Sequence, residues 1–69
     1  MAWQEVYSSR VDAWDYVDGA LLVRWKGGKT SVYRGVPPEK ASEVMNSASV
    51  GKALKADIEG EYAHEYLEE

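Results

Sequence analysis

This chain changes from strand to helix within one stretch, Tyr33-Arg34-Gly35-Val36-Pro37-Pro38-Glu39. Pro37 and Pro38 fit the first turn of a helix, since proline has a fixed φ and lacks the N–H that a first turn leaves without a partner. Glu39 adds a negative charge, which the positive end of the helix dipole favours. The stretch therefore predicts strands before it and helices after it.

Two tight turns upstream predict an antiparallel meander. Asp18-Gly19 and Gly27-Gly28 each lie between β-favouring runs, which is a strong signal for a two-residue hairpin turn. The first turn predicts the pairs Tyr16–Leu21, Trp14–Val23 and Asp12–Trp25. The second predicts the pairs Trp25–Thr30, Val23–Val32 and Leu22–Tyr33. A three-residue loop would instead flip the pairing. The segment 3–8 is predicted to add an edge strand, which makes a sheet of three to four strands.

Because side chains alternate across a strand, this register divides the sheet into two faces. The face predicted to be covered is strongly apolar, and it holds Trp14, Tyr16, Leu21, Val23, Trp25, Thr30 and Val32. The face predicted to be open is amphipathic, and it holds Ala13, Asp15, Leu22, Arg24, Lys26, Lys29, Ser31 and Tyr33. The first face needs other elements packed against it.

Two helices are predicted to cover that face. The first has a buried stripe of Ala41, Val44, Met45 and Ala48, after which Asn46-Ser47-Ala48 interrupts the pattern. Ser49 is a good N-cap for a second helix, predicted from about Val50 to Leu67. The stripe of that helix is Val50, Leu54, Ile58, Tyr62 and Tyr66. Gly60 predicts either a close backbone contact or a break, and we favour close packing. The result is one α+β domain over residues 1–69.

Composition excludes several classes of protein. The formal net charge is −4, and residues 57–69 carry six acids without Lys or Arg, which argues against strong nonspecific binding to nucleic acid or anionic membrane. The absence of cysteine excludes disulfides and thiolate metal sites. The longest aliphatic run, Ala20-Leu21-Leu22-Val23, is far shorter than the ~20 residues of a membrane span. We therefore expect a soluble, cytoplasmic protein without cofactor or metal.

The sequence offers no convincing catalytic pair. His64 is the only histidine, and its acidic surroundings are typical of a surface residue. The serines fit strand ends and helix caps better than nucleophiles. Gly27-Gly28-Lys29-Thr30 lacks the upstream glycine of a phosphate-binding loop. We therefore expect no enzymatic activity.

The open sheet face is the candidate binding site. Its predicted members are Leu22, Arg24, Lys26, Lys29, Ser31 and Tyr33. Cations beside an exposed aromatic ring can hold single-stranded RNA, since bases stack on the ring and phosphates meet the cations. The same composition is also typical of an ordinary exposed face whose charges prevent association between sheets.

Five short motifs follow one another along nearly the whole chain. They are Val6-Tyr7-Ser8-Ser9, Leu21-Leu22-Val23-Arg24-Trp25, Ser31-Val32-Tyr33-Arg34-Gly35-Val36-Pro37, Ser49-Val50-Gly51 and Ile58-Glu59-Gly60-Glu61-Tyr62. In this order and spacing they resemble the KTSC domain family. The resemblance implies a short module that occurs at the C-terminus of some lysyl-tRNA synthetases and alone in bacterial and phage proteins.

The resemblance also bears on function, because RNA binding has been suggested for that family. This chain departs from the family pattern at Ser31, where a tyrosine is usual, and at Glu59 and Glu61, where basic residues are common. The loss of a stacking ring and the added acids disfavour RNA. We therefore expect a non-catalytic protein–protein interaction module, an adaptor or modulator, of a bacterial or phage protein. The alternative is a module that binds RNA or another single-stranded nucleic acid through the basic sheet face.

Overall fold

The computed structural model describes residues 3–6 and 8–67, in which five antiparallel strands pair in sequence order. The strands are β1 (Gln4–Glu5), β2 (Val11–Val17), β3 (Ala20–Trp25), β4 (Thr30–Arg34) and β5 (Ala63–Leu67). Helices α1 (Pro38–Met45) and α2 (Val50–Ala53) lie between β4 and β5, and α2 continues into a π-helical segment, Leu54–Ile58. The predicted α+β fold is confirmed, but the sheet has five strands rather than three to four.

The edge strand β1 is shorter than the predicted segment 3–8. It covers two residues, which pair with β2 through Gln4–Trp14 and Glu5–Ala13. Just beyond β1, the Val6 N–H donates to the Asp12 carbonyl at 3.1 Å. Tyr7, which belongs to the predicted segment, lies outside the described residues.

The first hairpin turn forms as its residues dictate. Asp18 has φ 49° and Gly19 has φ 79°, and a type I′ turn requires positive φ at both positions. The matching twist of this turn and its strands sets the register of β2 on β3. The predicted pairs Tyr16–Leu21 and Trp14–Val23 are therefore confirmed.

A β-bulge changes the register at the far end of this hairpin. Val11 pairs with Trp25 and Ala13 pairs with Arg24, so that Asp12 is the extra residue of β2. The predicted pair Asp12–Trp25 is wrong for this reason. Because the bulge reverses the alternation of side chains, Val11 turns toward the helices, where it is fully buried.

The second hairpin has a three-residue loop, residues 26–28, instead of the predicted two-residue turn. The Trp25 N–H donates to the Lys29 carbonyl at 2.8 Å, and the Gly28 N–H donates to the Trp25 carbonyl at 2.9 Å. Gly28 has φ 97°, which is typical of a tight turn followed by one left-handed residue. The pairs are consequently Arg24–Thr30, Val23–Ser31, Leu22–Val32 and Leu21–Tyr33. The three pairs predicted for this hairpin are wrong by one residue.

This shift exchanges the two faces of β4. Ser31 and Tyr33 point toward the helices, on the same face as Val23, whereas the prediction placed them on the open face. Thr30 and Val32 lie on the open face, whereas the prediction placed them under the helices. The face assignments of β2 and β3 do not change. The predicted covered face is therefore confirmed for its β2 and β3 members, Trp14, Tyr16, Leu21, Val23 and Trp25, and is wrong for its β4 members, Thr30 and Val32.

The core lies between the sheet and the helices. Its sheet residues are Val11, Leu21, Val23 and Tyr33, and its helical side consists of Ala41, Val44, Met45, Val50, Leu54 and Ile58, with Val36 from the connection. The half-buried rings of Trp14, Tyr16 and Trp25 pack against this cluster. All the large side chains of the predicted covered face on β2 and β3 thus contribute to the core.

Helix α1 begins at Pro38, and Pro37 occupies the N-cap position with φ −63°. The stripe predicted for this helix is confirmed at Ala41, Val44 and Met45. It is wrong at Ala48, which is exposed and follows the end of the helix. Ser49 occupies the N-cap position of α2 as predicted, but its side chain makes no capping hydrogen bond.

The π-helical segment explains how a four-residue repeat stays buried. In an α-helix, positions four residues apart drift by about 40° around the axis. A π-helix bonds residue i to residue i+5 and so has more residues per turn, which offsets this drift. The Glu59 N–H donates to the Leu54 carbonyl at 2.8 Å, which is a bond of this kind. Val50, Leu54 and Ile58 all face the core, as predicted.

The helix ends at Ile58, so the predicted extension to Leu67 is wrong. Gly60 has φ 84°, a left-handed conformation, and apart from its own chain neighbours no atom lies within 4 Å of the position that a Cβ would occupy. Gly60 therefore breaks the helix instead of permitting close packing. The chain then returns to the sheet, where residues 63–67 pair with β4. No helix in the described part of the chain is long and apolar enough to cross a membrane.

Candidate functional site

Two of the predicted binding residues, Leu22 and Arg24, lie on the open sheet face. Both belong to β3 and alternate with the buried Leu21 and Val23. The Arg24 guanidinium carbon lies 4.3 Å from the centroid of the Trp3 ring, which is a cation–π geometry. The ring and the cation are thus already engaged with each other on this face.

An ion pair lies on the same open face, across β4 and β5. Arg34 of β4 donates through Nε to a Glu65 carboxylate oxygen of β5 at 2.8 Å, and its terminal nitrogen contacts the same oxygen. Both side chains are exposed, so the pair contributes little to stability. It lies beside Val32, which pairs with Glu65 and is buried although it belongs to the open face.

Of the two predicted lysines, Lys29 does not join Arg24 on this face. Lys26 belongs to the three-residue loop, and its N–H donates to the Arg10 carbonyl at 2.8 Å. The Lys29 ammonium lies 5.4 Å from the centroid of the Tyr66 ring, on the helix side of the sheet. The predicted place of Lys29 on the open face is therefore wrong, whereas the place of the Lys26 ammonium on that face stays a prediction.

Ser31 and Tyr33 are core residues rather than surface residues. The Ser31 hydroxyl oxygen accepts a hydrogen bond from Trp25 Nε1 at 2.7 Å. Tyr33 is 2% exposed, and burial raises the pKa of its hydroxyl, although the hydrogen bond with Ser31 acts in the opposite direction. The register shift that brought both residues under the helices also removes the one aromatic ring that the prediction offered to an RNA base.

Strand β5 is the functional candidate that sequence reasoning missed. Every residue of the strand is exposed, and His64 lies between two tyrosine rings, 4.8 Å from Tyr33 and 4.7 Å from Tyr66 by ring centroids. The signal that could have found it is Gly60, a helix breaker followed by a segment of strand length that contains Tyr62 and Tyr66.

The ladder shows which backbone groups of β5 point outward. The Trp25 N–H donates to the Lys29 carbonyl, and hydrogen-bonded pairs alternate along an antiparallel ladder. The odd-numbered residues of β4 therefore direct their backbone N–H and C=O groups to β3, and the even-numbered residues of β4 direct theirs to β5. The partners of these even-numbered β4 residues on β5 are Ala63, Glu65 and Leu67. The N–H and C=O groups of His64 and Tyr66 therefore point away from the sheet, and no described strand pairs with them.

Within residues 3–6 and 8–67, no three His, Cys, Asp or Glu side chains are grouped closely enough to hold a metal ion. The exposed His64 packs against aromatic rings. The sheet and its edge present backbone hydrogen-bonding groups, aromatic rings and a few charges.

The family model for the KTSC domain matches residues 7–62. Among solved structures, the crystal structure of a KTSC domain protein from Yersinia pestis is similar to this chain, with 27% sequence identity over 97% of each chain and a TM-score of 0.86. No curated protein matches.

Proposed function

We propose that this chain, which belongs to the KTSC domain family, is a non-catalytic binding module whose partner is another protein. The observation that carries the proposal is the outer edge of β5, with which no strand within residues 3–6 and 8–67 pairs. A free strand edge binds an extended segment of a partner through backbone hydrogen bonds, and side-chain pockets add specificity. The outward groups of His64 and Tyr66 supply two donors and two acceptors for such a segment.

The side chains of β5 support a protein partner. Tyr66 is 57% exposed and Leu67 is 45% exposed, and they lie next to each other on opposite faces of the strand. Tyrosine is enriched among the residues that dominate protein interfaces. A partner strand along β5 would cover the Tyr66 ring on the helix side and Leu67 on the open side. One added strand would therefore bury apolar surface on both faces of the sheet.

The protection of this edge is weak. Natural proteins usually cover an exposed edge, shorten it or place lysines on it. The opposite edge, β1, has two residues, whereas β5 has five, of which none is Lys, Arg or Pro. Retention of a longer edge strand without these protections supports a binding role.

RNA remains the alternative, and the placement of Tyr33 disfavours it. A buried ring cannot stack on a base, and the Lys29 ammonium lies beside Tyr66 on the helix side, away from Arg24. The net charge of −4 also repels a polyanion. We expect no binding to generic single-stranded RNA tighter than micromolar at physiological salt, measured by fluorescence anisotropy. A nanomolar, salt-dependent affinity that is lost after charge reversal at Arg24 would make RNA the leading function.

Affinity purification from native cell extract, with and without nuclease, tests the proposal. We expect a protein partner that remains bound after nuclease treatment. With the purified partner, Tyr66→Lys should weaken binding at least about 10-fold, because it removes an interface ring and places a charge on the edge. The matched control is Gln4→Lys, the same addition of charge on the opposite edge, which should retain binding. Loss of the partner after nuclease would instead favour the RNA alternative.

A further inference from the structure

The helix side of the molecule carries a polar cleft of about 500 Å³ that is distinct from the sheet edge. It lies between the segment that precedes β2 and the start of α2. Its lining includes three cations, Arg10, Lys52 and Lys55, together with the serines Ser8, Ser9 and Ser49. None of the described residues that line it is acidic. Two of the short motifs singled out in the sequence thus meet around one concave surface.

The concentration of positive charge in this cleft is unusual for an acidic protein. The chain has eight Lys and Arg against twelve Asp and Glu, yet three of the eight cations line the cleft. Within residues 3–6 and 8–67, the one ion pair is Arg34–Glu65, on the open face of the sheet, so Arg10, Lys52 and Lys55 have no carboxylate partner there.

The local structure brings these cations close together. The Ser8 hydroxyl accepts hydrogen bonds from the Arg10 N–H at 3.3 Å and the Val11 N–H at 3.4 Å, which holds the chain in a turn at Arg10. The Arg10 side chain then lies along the helix, with its Cδ 3.8 Å from the position of a Cβ on Gly51. Lys52 and Lys55 are three residues apart and line the same cleft, so their like charges repel each other. A bound anion would relieve this repulsion.

We propose that this cleft binds the phosphoryl group of a small phosphorylated molecule. Arginine presents a planar set of donors that matches phosphate oxygens, and lysine adds point charges. Ser9 and Ser49, which also line the cleft, carry hydroxyls that can donate to a phosphoryl oxygen. The volume lies within the range of ordinary small-molecule sites, so the ligand has room for a phosphoryl group and an organic moiety. The site goes beyond the proposed protein contact at β5 and contains no residue of that strand.

Calorimetric titration of the whole chain with inorganic pyrophosphate tests the site. At low ionic strength we expect pyrophosphate to bind, with a higher affinity than sulfate measured at the same ionic strength. Lys52→Ala combined with Lys55→Ala should weaken pyrophosphate binding at least about 10-fold, because two of the three cations are lost. The matched control combines Lys29→Ala with Lys40→Ala, which removes the same charge from residues outside the cleft and should change the affinity less than about twofold. Circular dichroism should show the same folded spectrum for both variants as for the parent chain.

Amide chemical-shift mapping locates the bound pyrophosphate. The proposal requires shifts confined to residues 8–10 and 48–55. Equal loss of affinity in both double variants would show an effect of net charge alone and would overturn the proposal. It would also be overturned by binding of single-stranded RNA through Lys52 and Lys55 without binding of pyrophosphate, since the cations would then be contacts for a polymer.

Discussion

Replacement of Leu54 by alanine tests the arrangement of the core most directly. Leu54 is 0% exposed and lies at the start of the π-helical segment, where it joins the cluster of sheet and helix side chains. Burial of such a side chain contributes about 1.5–3 kcal/mol, and the cavity that alanine leaves adds a further cost. The free energy of unfolding should therefore fall by about 2–5 kcal/mol.

This loss is comparable with the whole stability expected for the domain. A chain of 69 residues without disulfides gains only about 3–5 kcal/mol from one core. Leu54→Ala should consequently be largely unfolded at 37 °C. Urea titration at 25 °C, followed by tryptophan fluorescence, measures the change, and the slope m should stay constant if the variant unfolds in two states.

Leu67→Ala is the matched control for this prediction. It makes the same chemical change at a leucine that is 45% exposed on the edge strand β5, where substitutions usually cost less than about 1 kcal/mol. If the two variants lost equal stability, the assignment of Leu54 to the core would be refuted. An unchanged melting temperature for Leu54→Ala would refute it as well.

Two further predictions concern the second hairpin and its register. Gly28→Ala should lower the free energy of unfolding by about 1–2 kcal/mol, because Gly28 has φ 97°, which disfavours any residue with a Cβ. Gly27→Ala should be nearly neutral, because Gly27 does not have a positive φ. If both variants were equally destabilised, a two-residue type I′ turn, which needs positive φ at both positions, would fit better than the three-residue loop. The raised pKa of the buried Tyr33 hydroxyl makes the folded chain hold its proton where the unfolded chain loses it, so stability should fall as pH rises above about 10. Tyr33→Phe should reduce that slope in urea titrations between about pH 9 and 11; an identical slope would contradict the buried hydroxyl.

Local signals were sufficient wherever one short stretch has a single good conformation. Asp18-Gly19 suits a type I′ turn, so the register of β2 on β3 followed from two residues. Pro37-Pro38 placed the start of α1 correctly, because proline suits the first turn and little else in a helix. Leu22 and Arg24 were placed on the open face because their strand adjoins that well-determined turn.

The second hairpin shows where local reasoning is insufficient. Gly27-Gly28 is compatible with loops of two or three residues, and the choice between them decides the orientation of every side chain on β4. The sequence could not make that choice, since Ser31-Val32-Tyr33 has plausible core residues in either register. Packing decides it: the three-residue loop gives Tyr33 a place in the core and gives Ser31 the indole N–H of Trp25.

The segment 63–67 owes its conformation to the rest of the fold. Ala63-His64-Glu65-Tyr66-Leu67 has no clear period of its own, and Tyr66, together with Tyr62 before it, extends the four-residue repeat of the preceding helix. In the folded chain, Gly60 ends that helix, and the unpaired edge of β4 offers backbone hydrogen bonds that a solvated helical tail would leave unmade. The amino-acid pattern thus specified an α+β domain with one apolar sheet face under helices, because turn chemistry and periodicity act locally. The pairing of β5 with β4 and the sheet face on which Tyr33 lies depended on long-range packing and hydrogen bonding, which form only when distant segments meet.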